Sequence, residues 1–86
     1  MKPDVQPDEL RSVFRANFKR ARLRLGLNQT ELAERLGVAQ SYISDLESGN
    51  KAPLVPTLAE LADALETTPA KLITPQAEKK VAVSAR

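Results

Sequence analysis

Apolar residues recur along this chain at three- and four-residue intervals, with charged and polar residues between them. Leu10, Val13, Phe14, Phe18, Ala21 and Leu25 keep the helical period, so one stripe of a first helix faces inward. Arg11, Arg15, Lys19, Arg20 and Arg24 occupy its other face. Asp8 is a candidate N-cap, and Gly26, able to adopt a left-handed conformation, ends the helix.

A second helix opens at Asn28, with Glu31 three positions later in a capping-box spacing. It continues through Leu32, Ala33 and Leu36 and stops at Gly37. A third helix covers Gln40 to Ser48, with Ile43 and Leu46 facing in and Gly49 closing it. A fourth spans Val55 to Leu65, with Leu58, Leu61, Ala62 and Leu65 on one face. Pro56 is tolerated there only in the first turn, and Thr57 with Glu60 offers a second capping box as an alternative start. Thr68 followed by Pro69 marks the start of a short fifth helix ending at Ile73. The chain thus divides into a loose leader at 1–7, an all-α domain at 8–74 and an extended or disordered tail at 75–86. In that tail, Val81-Ala82-Val83 is the one stretch with any strand-like character.

Composition narrows the chemistry. At 86 residues there is room for one domain. Aromatic residues are limited to Phe14, Phe18 and Tyr42, so the core must be mainly aliphatic. With no cysteine and no histidine, disulfides, thiolate metal sites and the commonest general base are excluded. Glu31, Glu34, Asp45 and Glu47 fall on helix faces with nothing to complete a catalytic site, so no enzyme, cofactor or small-molecule effector is expected. No apolar run suits a membrane span and the polar start is no signal peptide, so a cytoplasmic protein is expected.

The net charge of +2 conceals a segregation. Residues 1–26 hold seven Lys/Arg against three Asp/Glu, 27–65 hold two against six, and 66–86 hold four against two. Any nucleic-acid surface must therefore draw its cations from both ends of the chain as well as its middle.

The joint between helices two and three is the most specific feature. In QTELAERLGVAQSYISDL, Ala33 stands where two helices must cross closely, Gly37 turns the chain, and Leu32, Leu36, Val38, Ile43 and Leu46 supply a small shared core. The stretch from about Phe18 to Ile73, with GLNQTELAERLGVAQSYISDLESG and the downstream Pro53, Leu58, Leu61-Ala62, Ala64-Leu65 and Pro69, resembles the Cro/cI-type helix-turn-helix domain. That family includes phage repressors and restriction–modification controllers.

The resemblance implies a five-helix fold and a sequence-specific regulator that binds double-stranded DNA as a homodimer. Its DNA-contacting positions fall here on Asn28, Gln29, Gln40, Ser41, Tyr42, Ser44, Asp45, Asn50 and Lys51. Gln29 would hold the DNA backbone at a helix N-terminus. Gln40, Ser41, Ser44 and Asp45 share an outward stripe opposite Ile43 and Leu46; glutamine suits the adenine edge, and an aspartate accepts from cytosine N4 or repels DNA. Tyr42 either reaches phosphate or packs on helix two. Arg22 and Glu47 occupy positions that form a partly buried ion pair in the family, and Leu72 and Ile73 lie where the two-fold contact often forms. Three positions depart from the pattern. Asp45 is an acid in the reading stripe, Ala39 replaces a capping Ser or Thr, and Glu66 replaces a frequent glycine after helix four. A rival reading is an antitoxin-like module that neutralises a partner protein. A long apolar extension would favour it, and the tail offers only Val81 and Val83.

Overall fold

A computed structural model describes residues 7–75, and the expected leader at 1–6 and tail at 76–86 lie outside them. The described residues form five helices joined by short turns: α1 (Pro7–Arg24), α2 (Gln29–Leu36), α3 (Gln40–Ser48), α4 (Val55–Ala64) and α5 (Pro69–Ile73). α2 packs on α3, α1 lies against both α3 and α5, and α4 bridges α2 and α5. The core takes Phe14, Phe18 and Ala21 from α1, Leu32 and Ala33 from α2, and Ile43 and Leu46 from α3. Leu61, Ala62, Leu65 and Leu72 close it. The rings of Phe14 and Phe18 stack with centroids 5.4 Å apart, which gives this aliphatic core its largest rigid piece.

Local sequence accounts for most boundaries. At the start of α2, Asn28 Oδ1 accepts from the Glu31 N–H at 2.7 Å while Glu31 Oε1 accepts from the Asn28 N–H at 2.8 Å. Thr68 Oγ1 accepts from the Lys71 N–H at 3.2 Å and caps α5, with Pro69 behind it. One expectation shifts: α1 begins at Pro7, which puts Asp8 inside the first turn instead of at the cap; a proline there forfeits no helical hydrogen bond. α4 starts at Val55 as its period predicts, the alternative start at Thr57 is not used, and its N-cap Leu54 makes no side-chain cap bond.

The C-terminal carbonyls of α3, α4 and α5 also receive side chains from other elements. The last carbonyls of a helix have no partner within it, and donors placed there also meet the negative end of the helix dipole. Arg15 Nη1 donates to Ser48 O at 3.1 Å, ending α3, and Arg35 Nη1 donates to Ala64 O at 3.2 Å, ending α4. Asn17, buried in α1, directs Nδ2 at the carbonyls of Lys71, Leu72 and Thr74 at 2.9 to 3.1 Å and so ties α5 to α1. Its Oδ1 accepts from Arg20 at 2.9 Å. Among the described residues no buried side-chain polar atom lacks a partner.

Two side chains placed in the core by periodicity are not there. Val38 is 38% exposed beyond the α2–α3 turn, and Leu10 is 40% exposed near the start of α1. After α4 the chain turns through Glu66 at φ +58°, the one non-glycine residue with positive φ among those described.

Candidate nucleic-acid interface

The helix-turn-helix is set by one small residue and one turn. Ala33 is buried at the α2–α3 crossing, where a longer side chain would separate the helices. Gly37 adopts φ +73°, a conformation that strains L-residues, and the Val38 N–H returns to Ala33 O at 3.0 Å. Ile43 and Leu46 are fully buried, which anchors α3 by one face and leaves the other outward.

On that outer face Gln40 and Ser41 are exposed, while Ser44 and Asp45 are half-buried. Gln40 does not stand alone. Its Nε2 donates to Gln29 Oε1 at 2.6 Å, and Gln29 Nε2 donates to Glu47 Oε1 at 3.1 Å. Glu47 in turn receives Arg22 through both oxygens, Nε to Oε2 at 2.5 Å and Nη2 to Oε1 at 2.9 Å. Arg22 Nη1 also donates to Leu27 O at 2.8 Å. Both charged side chains are buried, at 7% and 6% exposure, so the two-pronged ion pair is shielded from water and salt. A single chain of hydrogen bonds thus runs from a buried ion pair to an exposed amide at the tip of α3. It also fixes which way each amide points, since Gln29 must turn its oxygen to Gln40 and its nitrogen to Glu47.

The other end of α3 gathers the remaining candidates. Asp45 Oδ2 lies 3.8 Å from Lys51 Nζ, and Asp45 Oδ1 accepts from Asn50 Nδ2 at 3.5 Å. The ammonium of Lys51 sits 5.8 Å from the centre of the Tyr42 ring, within cation–π range. Tyr42 is half-buried and packs against the core. The acid in the stripe therefore has its own cation, and its charge is partly neutralised before any ligand arrives. Asn28 has its side-chain oxygen taken by the α2 cap.

Leu72 is a correction. It is 1% exposed in the core of a single chain, held by the α1–α5 packing, and cannot lie on a surface contact. Its neighbour Ile73 is 38% exposed and remains on the surface. Two structural residues escaped the sequence reading. Asn17 carried a signal, a polar residue inside the apolar stripe beside Phe14, Phe18 and Ala21. Arg15 was visible only as one of the cations spaced by four on α1, with nothing to tie it to α3.

A bundle of short helices that exposes a polar α3 beside the capped start of α2 defines a helix-turn-helix protein. The chain matches the helix-turn-helix family HTH_3 over residues 18–72 and belongs to it. It is 43% identical over 70 residues to the HTH-type transcriptional regulator y4dJ of Sinorhizobium fredii, an alignment covering 81% of this chain and 91% of that one. The fold superposes on the hypothetical transcription factor NHTF from Neisseria with a TM-score of 0.77 and 25% identity, covering 92% of each chain. It also resembles the restriction–modification controller protein C.AhdI from Aeromonas hydrophila (TM-score 0.67, 29% identity), over 72% of this chain and 94% of that one. The family is one of DNA-binding transcription regulators and not of enzymes. Among the described residues no helix is long and apolar enough to cross a membrane.

Proposed function

We propose that this protein is a dimeric repressor or controller, acting in the cytoplasm, that reads a palindromic operator by laying α3 in the major groove. The observation that carries the reading is the chain Arg22–Glu47–Gln29–Gln40, which holds one exposed amide in a defined orientation. With one Nε2 hydrogen given to Gln29, Gln40 keeps a second N–H and Oε1, the pair an adenine edge requires. Ser41 and Ser44 supply short polar contacts beside it. Gln29, Asn50 and Lys51 flank the stripe and hold phosphates, and the likeness to a controller protein supports the regulatory role.

Selection of bound sites from random duplex DNA with the purified protein tests the reading, followed by a panel of single-base variants of the selected site. Gln40→Ala should lose about 1–3 kcal/mol on the preferred site and relax preference at one symmetric position. Lys51→Ala should weaken every sequence alike. Uniform weakening by Gln40→Ala would reduce Gln40 to a backbone contact and remove it from the reading.

A further inference from the structure

The cations of α1 divide between two sides of the helix. Arg15 and Arg22 point toward α3, one to the Ser48 carbonyl and the other to Glu47. Arg20 and Arg24 lie about half a turn round the helix from Arg22, on the side that meets α5. There they rim a groove of about 440 Å³ together with Lys71 of α5, and Glu66 joins the same wall from the turn after α4. The buried side chains of Ala21 and Leu72 supply its aliphatic part. We propose that this groove is a binding site for a small phosphate monoester, a free molecule separate from the DNA that α3 reads. No motif announces such a site, because its cations come from opposite ends of the domain.

Three observations select that ligand. The first is that one cation is aimed from inside the fold. Asn17 is buried, and its Nδ2 is committed to the carbonyls of Lys71, Leu72 and Thr74. Its Oδ1 must therefore face the other way, where it accepts from Arg20 Nη1 at 2.9 Å and holds that guanidinium at the groove. The second is charge. Arg20, Arg24 and Lys71 against Glu66 leave the rim with two net positive charges. A phosphate monoester carries about −1.5 to −2 at neutral pH, whereas each phosphate of a duplex carries one negative charge. Guanidinium groups also meet phosphate oxygens in pairs, which favours them over a diffuse cationic surface. The third is Glu66, held at φ +58°, a region glycine occupies without strain and a side-chain-bearing residue does not. Strained backbone of this kind gathers at ligand sites. A carboxylate on a rim made for an anion gains by accepting from a hydroxyl or ammonium on the organic part of the ligand, and it disfavours a bare anion. The volume lies within the range of small-molecule sites.

Backbone amide shifts of the full chain, followed by NMR as glycerol phosphate is added at constant ionic strength, decide the matter. Inorganic phosphate and glycerol serve as comparison ligands. Saturable shifts should gather at Arg20, Arg24, Glu66, Thr67 and Lys71, with glycerol phosphate bound more tightly than inorganic phosphate. The double variant Arg24→Ala/Lys71→Ala should weaken binding at least tenfold with unchanged far-UV circular dichroism, because both side chains are exposed and the bond from Arg20 to Asn17 is kept. Glu66→Gly should raise Tm by relieving the backbone and should abolish the preference for glycerol phosphate over inorganic phosphate. The same shifts should persist when the protein is saturated with duplex DNA. Shifts that never saturate, or that the double variant leaves unchanged, would overturn the site. So would a duplex that itself moves these amides and displaces glycerol phosphate, since the groove would then belong to the DNA backbone. Each of these failures leaves the reading of α3 standing.

Discussion

At the scale of single residues, the decisive feature is that the outward amide of Gln40 is governed from inside the protein. Glu47 has Arg22 on both oxygens and Gln29 on one of them, so removing either charge disturbs every later link. A buried ion pair is weak evidence for stability against an apolar substitute, yet breaking it strands a charge. Arg22→Met and Glu47→Met should therefore each destabilise the fold by about 3–5 kcal/mol, and the double variant by clearly less than their sum. Urea denaturation of the four proteins measures this coupling; additive losses would mean the pair contributes nothing jointly. Gln29→Ala should leave stability nearly unchanged, since Gln29 is only half-buried, while loosening Gln40.

At the scale of elements, α3 is held by neighbours more than by its own sequence. Its N-cap is Ala39, in the extended conformation a cap requires (φ −74°, ψ 147°) but with no side chain able to accept from the first turn. At the other end Arg15 supplies a donor to Ser48 O, and Gly49 turns the chain out of the helix at φ +88°, a conformation that L side chains rarely adopt. Ala39→Ser should stabilise the protein by about 1 kcal/mol, seen as a higher urea midpoint at unchanged slope. No gain would indicate that the first turn of α3 is already satisfied by contacts other than a cap. Asn17 plays the corresponding part for α5, a helix of five residues that would not persist without tertiary contacts.

For the whole molecule, charge is sorted along the chain, and its effect on DNA depends on which cations are already paired. Arg22 is buried with Glu47, and Lys51 leans on Asp45 at the end of α3. Binding to duplex DNA should still fall steeply with salt, linearly on a double-logarithmic plot, because phosphate contacts release counterions. Asp45→Asn removes the competitor for Lys51, so affinity at low salt should rise and the slope should steepen by about one. Fluorescence anisotropy across a salt series reads both quantities; an unchanged slope would show that Lys51 never reaches phosphate.

Helix starts and stops were written locally. Asn28 with Glu31, Thr68 with Pro69, and the glycines at 26, 37 and 49 act on their immediate neighbours, and the structure has the cap or left-handed turn at each. The five-helix order and the tight α2–α3 joint could be read for the same reason, since Ala33 and Gly37 impose a crossing whatever surrounds them. Periodicity tells which face of a helix is apolar but not how much of that face a neighbour will cover. Leu10, in the inward stripe by its period, is therefore left partly bare, and Val38 is carried outward by the turn; Leu72, given to a two-fold contact by the resemblance alone, is buried by the packing of α5 on α1. The carbonyls gathered by Asn17 from more than fifty residues away and the bare Leu54-Val55 edge are likewise products of packing. Each depends on where two distant segments come to rest, and only the folded chain fixes that.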